Sequence, residues 1–160
     1  MEVSILAVGR LKSGPERELC DRYLDRARVS GRRLGFRGLN VVELAESRAG
    51  RASDRIAGEA EALVAALPKI GRIVVLDAQG ELLESEAFAA MLSSAAAAAT
   101  DRITFIIGGP DGLAGDVLSL AASRISFGRV TWPHQIVRIL LAEQVYRAMT
   151  ILSGHPYHRA

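Results

Sequence analysis

The sequence lacks several features that mark particular classes of protein. It contains one cysteine, Cys20, which excludes an internal disulfide and a zinc site built from cysteines. No apolar run reaches the roughly 18 residues that a membrane-spanning helix needs. The first residues form a short apolar stretch without the basic flank or the cleavage sequence of a secretory signal. We therefore expect a cytoplasmic protein without a membrane segment, in which Cys20 is a small buried residue.

The chain also lacks a strong excess of either charge. Its 20 basic and 18 acidic residues give a formal net charge of +2, so bulk electrostatics does not by itself indicate a nucleic-acid partner. The distribution is more informative, because residues 26–37 hold five arginines and no acid. Arginine suits bidentate contacts with phosphate, although a GC-rich genome would produce the same bias. This segment is either a contact surface for phosphate groups or an ordinary solvated turn.

The motifs of common nucleotide, hydrolase and metal sites are missing too. The chain has no G-x-G-x-x-G fingerprint, no phosphate loop ending in Gly-Lys-Ser/Thr, and no G-x-S-x-G nucleophile elbow. His155 and His158 are separated by Pro156, which breaks helical geometry, and no cluster of cysteines or acids accompanies them. We therefore predict neither a metal site nor a Ser-His-Asp hydrolase.

What the chain does contain is a regular alternation of apolar runs and helical patterns. With 49% hydrophobic and 24% charged residues it is typical of a folded protein, and its length fits a single domain over residues 1–160. The alternation predicts a three-layer α/β/α fold with a mainly parallel sheet. Ser53 and Ser85 are the predicted N-caps of two helices. The predicted strands cover residues 2–8, 39–44, 72–76, 103–107 and 124–127, and the predicted helices cover residues 15–27, 54–67, 86–99, 113–122 and 136–152.

Three strand ends carry residues suited to ligand binding, since ligands of open parallel sheets bind at the carboxyl ends of the strands. They are VVLDAQG (74–80), FIIGGPDG (105–112) and FGRVTWPH (127–134). Gly108 and Gly109 have no Cβ, so the backbone there can approach a ligand closely. The same two glycines also suit a tight connection from strand to helix. A neutral, backbone-lined slot at this edge fits an adenine and a ribose better than a triphosphate.

The C-terminal segment, residues 131–159, is the richest in functional groups. It holds all three histidines, the only tryptophan and two of the three tyrosines, and from Val117 onward five arginines accompany a single acid, Glu143. This composition predicts a site for a flat, anionic substrate. The helix at 136–152 is apolar almost all round, which indicates burial on several faces, one of them a subunit interface. Glu143 and Arg147 form either a simple i,i+4 ion pair or a pair in which Glu143 orients Arg147 toward the site.

Several of these segments together resemble one known family. IGGPDG, TWPH, VRILLAEQVYRA and the terminal HPYHR are similar to the SPOUT-class methyltransferases that modify a pseudouridine of bacterial large-subunit rRNA, the RlmH family. The resemblance begins at VSILAVGRLK and covers nearly the whole chain. It implies a trefoil-knotted α/β fold and a homodimer with S-adenosylmethionine as methyl donor. The implied substrate is 23S rRNA of the assembled ribosome, methylated at N3 of the pseudouridine.

The resemblance also implies which residues bind the cofactor and the RNA. Tyr157, His158 and Arg159 are expected to reach toward the RNA, in the site of the partner subunit. Trp132 is larger than the residue that the family pattern leads us to expect at its position. The cofactor pocket is expected to be formed by Leu76, Gly108 and the backbone of Phe127, Gly128, Arg129, Val130, Thr131 and Trp132.

The implied reaction suggests a role for each residue of the C-terminal tail. N3 lies on the Watson–Crick edge of the base, so the base has to be unpaired, and a general base has to remove the imide proton. His158 is the first candidate for this proton transfer. Arg159 is a candidate for contacting phosphate or the developing anion, and Tyr157 for stacking on the base. His134 and His155 each adjoin a proline and are predicted to be structural.

Two other functions are compatible with the sequence. One is a non-catalytic RNA-binding or ribosome-assembly protein that retains a nucleotide pocket. The other is a small α/β hydrolase or nucleotide-binding enzyme, which would act without RNA but lacks its expected motifs. Transfer of a methyl group to ribosomes separates the methyltransferase from both.

Overall fold

The computed structural model describes residues 1–157 and confirms the predicted alternation of strands and helices. Five strands form one sheet in the order β2-β1-β4-β3-β5, and every pairing between these strands is parallel. The trefoil knot implied by the resemblance stays a prediction. The elements are β1 (Glu2–Val8), α1 (Pro15–Arg32), β2 (Gly38–Leu44), α2 (Ala52–Ala66), β3 (Arg72–Leu82), α3 (Ser85–Ala97), β4 (Arg102–Ile107), α4 (Gly115–Ser119), β5 (Ser123–Ser126) and α5 (His134–Ser153).

Helices cover both faces of the sheet, as a three-layer fold requires. Helices α1, α3 and α5 share one buried cluster with the sheet, and α2 and α4 share the other. In β1, Ile5 packs into the first cluster and Leu6 into the second. Because both faces are covered, the central strands are continuous apolar runs. No helix within residues 1–157 is long and apolar enough to cross a membrane.

Helix α1 is longer than predicted and includes much of the arginine-rich segment. It continues to Arg32, and Gly31 in its last turn is buried: a Cβ added there would lie 3.2 Å from the Cβ of Phe36. The chain then turns at Gly35, whose φ of 82° favours glycine. The arginines up to Arg32 therefore lie on a helix, and the predicted turn begins only after it.

Both predicted serine caps are wrong. Helix α2 begins at Ala52 and helix α3 at Ser85 itself, and neither has a side-chain capping bond. The Ser85 hydroxyl instead donates a hydrogen bond of 3.0 Å to Oε1 of Gln144, which lies on α5. The Ser85 hydroxyl, which the sequence pattern predicted to cap α3, thus joins α3 to α5 instead. Helix α4 is also shorter than predicted.

Candidate active site

A cavity of about 140 Å³ lies at the carboxyl ends of β3 and β5. Its walls are mostly apolar side chains and backbone, and Asp77 is the one charged residue among them. This is the edge of the sheet where ligands of parallel α/β proteins bind. The cavity is lined by Leu76, Asp77, Ala78, Ile125, Ser126, Phe127, Gly128, Val130, Thr131, Trp132 and Val137.

One wall of the cavity is an irregularity in β3, which is longer than the predicted strand. Leu76 and Glu81 both pair with Ile125 of β5, so residues 77–80 bulge out of the ladder between them. Asp77 closes the bulge by accepting a hydrogen bond of 3.0 Å from the backbone N–H of Gln79. A bulge at the end of a strand redirects side chains next to a site, and here it leaves Asp77 and Ala78 facing the cavity.

The bulge requires glycine at position 80. A Cβ added to Gly80 would lie 2.6 Å from the backbone carbon of Ile125, closer than real Cβ atoms come to any neighbour. β5 therefore packs directly against the backbone of the bulge.

The turn after β5 forms the opposite wall. Gly128 has a φ of 128°, a conformation that favours glycine. The buried Ser126 hydroxyl donates to the Gly128 carbonyl oxygen at 2.8 Å and accepts from the Gly128 N–H at 3.2 Å. Arg129 Nη1 donates to the carbonyl oxygens of Ala78 at 2.6 Å and Gly80 at 3.0 Å. The turn and the β3 bulge are thus joined, and the cavity between them is defined by the backbone.

A neighbouring apolar groove of about 390 Å³ shares Trp132 with this cavity. The indole of Trp132 is 42% exposed and lies in the lining of both. The groove extends along α5 to Leu140 and Gln144. Residues 125–128 line both spaces as well, so a ligand larger than the cavity can extend around the indole into the groove.

The glycines of the GGPDG turn are required by contacts inside the protein. A Cβ on Gly108 would lie 2.8 Å from Cγ of Leu113, and a Cβ on Gly109 would lie 2.6 Å from Oε2 of the buried Glu59. Gly108 follows Ile107, which pairs with Leu76 in the sheet. The GGPDG turn therefore begins near the cavity wall, but Gly108 is not among the lining residues. The tight-connection interpretation of this turn therefore has direct structural support.

Glu143 and Arg147 of α5 form a cluster with Tyr157, which lies in the turn after that helix. Arg147 donates to Glu143 Oε1 from Nε at 2.9 Å and from Nη2 at 2.6 Å, and the Tyr157 hydroxyl donates to the same oxygen at 3.2 Å. The Arg147 guanidinium lies 5.2 Å from the centre of the Tyr157 ring. The centre of the Tyr146 ring lies 4.7 Å from that of the Tyr157 ring. Tyr157 is thereby held against the helix of its own chain.

The surroundings of Tyr157 keep its phenol protonated. Burial, a hydrogen bond with Tyr23 and the charge of Glu143 raise the pKa of Tyr157 to about 12. At neutral pH this side chain is a hydrogen-bond donor and not a base.

The histidines predicted to be structural have internal contacts. His134 is the first residue of α5, and its Nε2 lies 3.1 Å from Oε1 of Glu46. Nδ1 of His155 accepts a hydrogen bond of 3.1 Å from the Tyr157 N–H. His158 and Arg159, the predicted catalytic residues of the tail, lie outside the described residues.

The sequence reasoning missed a buried ion-pair network at the same edge of the sheet. Arg138, 1% exposed, pairs with Glu43, which also accepts from Arg17 Nη2 at 3.0 Å. The only sequence signal was an arginine among the apolar residues at the start of the helix segment, and nothing in the sequence identified its partner. Among residues 1–157 there is no group of three or more His, Cys, Asp or Glu side chains arranged to hold a metal ion.

Comparisons with known proteins identify the family. Residues 1–158 match the family model described as "Predicted SPOUT methyltransferase". The chain belongs to the SPOUT methyltransferase family. It is 52% identical to a protein of Afipia carboxidovorans and 51% identical to one of Bradyrhizobium diazoefficiens, both named "Ribosomal RNA large subunit methyltransferase H". Each alignment spans 160 residues and all of both chains.

A solved structure shows the same fold at much lower sequence similarity. The probable methylase family protein of Haemophilus influenzae Rd KW20 matches with a TM-score of 0.51 and 14% identity, over 99% of this chain and 70% of that one. This SPOUT methyltransferase brings together most of the residues predicted to bind the cofactor: Leu76, Phe127, Gly128, Val130, Thr131 and Trp132 all line the cavity. Arg129 supports one wall through its hydrogen bonds to Ala78 and Gly80, whereas Gly108 does not line the cavity.

Proposed function

We propose that this SPOUT methyltransferase transfers a methyl group from S-adenosylmethionine to N3 of a pseudouridine in 23S rRNA of the assembled ribosome. The observation that carries the proposal is the full-length identity of about one half to relatives named as large-subunit rRNA methyltransferases. The cavity formed by the predicted cofactor residues supports it independently.

The residues present fit S-adenosylmethionine. The cavity and the adjoining groove measure about 140 and 390 Å³, and joined around Trp132 they fall within the roughly 300–1,000 Å³ typical of small-molecule sites. Apolar walls and the backbone of residues 127–132 suit an adenine, and the Asp77 carboxylate suits hydroxyl or ammonium donors. No lysine or arginine among residues 1–157 lines the cavity, so this part of the chain offers no cation for a phosphate. When bound, the sulfonium supplies an electrophilic methyl group.

The residues of the chain have to orient the acceptor base and remove its imide proton. His158, the first candidate for the proton transfer, directly follows Tyr157. The Glu143 and Arg147 contacts hold Tyr157 against α5 and so fix where the tail begins. Arg147 is therefore a positioning residue in this proposal. Tyr157 is excluded as the base because its pKa of about 12 is far above neutral pH.

We also propose that the enzyme is a homodimer. Leu82, Val130 and Trp132 are 55%, 61% and 42% exposed, and they adjoin the apolar groove that reaches Leu140 on α5. A contiguous apolar surface next to a site is typical of an interface. A second copy of the chain is the occupant that we propose for this surface. Light scattering on the purified protein tests this, and a monomer at micromolar concentration would contradict it.

The decisive experiment is transfer of a labelled methyl group from S-adenosylmethionine to ribosomes that lack the modification. Ribosomes that already carry it are the matched control, and free 23S rRNA tests whether assembly is needed. We expect label only in the unmodified ribosomes, at a single pseudouridine. Binding without transfer would support the non-catalytic alternative.

A further inference from the structure

A second cleft, of about 390 Å³, lies at the carboxyl ends of β1 and β2. Because all strands are parallel, it opens on the same edge of the sheet as the cofactor cavity, with β4 and the GGPDG turn between them. Three strand spacings separate the two, about 14 Å at roughly 4.8 Å each. The cleft is lined by Gly9, Arg10, Ala45, Glu46, Ser47 and Arg48.

The first wall of this cleft is a loop fixed by buried charges. The buried Arg138 donates from Nη2 to the Gly9 carbonyl oxygen at 2.7 Å. Two residues further on, the Leu11 N–H donates to Glu43 at 2.9 Å, and the Leu11 carbonyl oxygen accepts from Arg17 Nε at 2.9 Å. The backbone is therefore held on both sides of Arg10, whose own side chain is exposed.

The second wall is fixed in the same way. The buried Glu59 accepts a hydrogen bond of 2.9 Å from the Ser47 N–H, and Arg55 Nη1 donates to the Ala49 carbonyl oxygen at 3.1 Å. Arg48 lies between these two anchored residues, and its side chain is exposed. Both loops thus present one arginine from a backbone that is held in place on either side.

Within residues 1–157, neither Arg10 nor Arg48 has a hydrogen-bond or ion-pair partner. Arg51, further along the same loop, does: it pairs with Asp54 at 2.9 Å. Glu46 is the one acid in the lining, and its Oε1 lies 3.1 Å from His134 Nε2. Two free guanidinium groups on rigid loops are suited to bidentate contacts with phosphate, because little conformational freedom of the backbone is lost on binding.

We propose that Arg10 and Arg48 bind the phosphodiester backbone of the RNA substrate, a few nucleotides from the base that enters the cofactor site. This inference rests on the proposed function, since it takes RNA as the substrate. It adds a specific contact surface on the same edge as the cavity. The distance of about 14 Å is one that single-stranded RNA spans with few nucleotides.

The test compares R10Q, R48Q and the double variant with the wild type and with R51Q, a matched control that removes an arginine already paired within the protein. Affinity for ribosomes lacking the modification is measured over a range of salt concentrations. Each cleft variant should lose about threefold in affinity at moderate salt, and the double variant about tenfold. The slope of log affinity against log salt should become shallower by about one per substitution. R51Q should behave as the wild type.

Calorimetry with S-adenosylmethionine shows whether a variant has disturbed the fold, and its affinity should be unchanged in all of them. R10K and R48K keep the charge and should keep the salt slope, whereas a slope as shallow as that of the glutamine variants would contradict a phosphate contact. If the R10Q/R48Q variant kept the affinity and the salt slope of the wild type, and the wild type transferred the methyl group, the proposed phosphate contact would be overturned. The proposed function would then stand. If the wild type transferred no methyl group but the double variant bound RNA more weakly, the proposed function would be overturned and the phosphate contact would remain supported.

Discussion

Replacing Arg138 by methionine tests how firmly buried ion pairs hold the carboxyl edge of the sheet. The Arg138 side chain is 1% exposed and donates to Glu43 and to the Gly9 carbonyl oxygen. In R138M both acceptors lose this donor, while methionine occupies similar space and adds no polar group. Breaking a buried pair costs about 3–5 kcal/mol. Glu43 keeps Arg17 and the Leu11 N–H and is 21% exposed, so we expect the lower end, about 3 kcal/mol.

The assay is urea unfolding followed by far-UV circular dichroism. The urea concentration at the midpoint of unfolding should fall. The slope of the unfolding free energy against urea concentration should stay the same, since the surface exposed on unfolding is the same. For a domain of this size, Tm should fall by about 6–12 °C. A loss below about 1 kcal/mol, as for a surface ion pair, would refute the reasoning.

Glu43 provides a second check on the same interaction. Because the two residues share one pair, E43Q/R138M should lose less stability than the sum of the single variants. Burial alone would raise the pKa of Glu43, but the Leu11 N–H, Arg17 and Arg138 outweigh it and hold the pKa below its ordinary value. Such a carboxylate stabilises the fold above its unfolded pKa, and the contribution disappears as the pH falls through the folded pKa. The difference between wild type and R138M should therefore shrink below about pH 4; a difference independent of pH would contradict the assignment.

Three further substitutions test the site and its surroundings. H158A should lower kcat by about a hundredfold or more with unchanged S-adenosylmethionine affinity, and equal turnover would remove His158 from the mechanism. G108V should weaken cofactor binding measured by calorimetry, because its Cβ would lie 2.8 Å from Leu113 Cγ and displace the turn; normal affinity would show that this turn does not contribute to the cofactor site. R32E/R33E alters exposed charges at the opposite edge of the sheet and should change ribosome methylation by no more than about twofold. A loss of tenfold or more would show that the arginine-rich segment faces the ribosome.

The fold class was predictable because its signals are local. Each central strand is a short apolar run and each helix an amphipathic or alanine-rich segment, so periodicity alone located them within a few residues. The position of the candidate site was predictable in outline for a related reason. In a parallel sheet the carboxyl ends of all strands lie on one side, so the segments that follow them meet there. The segments at 74–80 and 127–134 do meet there.

The features that failed prediction depend on distant contacts. The sequence around Ser85 has the pattern of an N-cap, but the Ser85 hydroxyl donates a hydrogen bond to Gln144, 59 positions away in the sequence. Residues 77–80 bulge because β5 pairs with β3 on both sides of them, and the sequence of β3 carries no sign of that register.

By itself the sequence determined the order of strands and helices, their burial on both faces of a sheet, and the segments able to form a cofactor site. Only the tertiary structure decided that Glu43 and Arg138, 95 positions apart, form one ion pair. It also decided that their contacts fix the loop of Arg10, which has no partner among residues 1–157. Periodicity and propensity act over a few neighbouring residues. The partner of a buried charge depends on which distant segments the completed fold brings together.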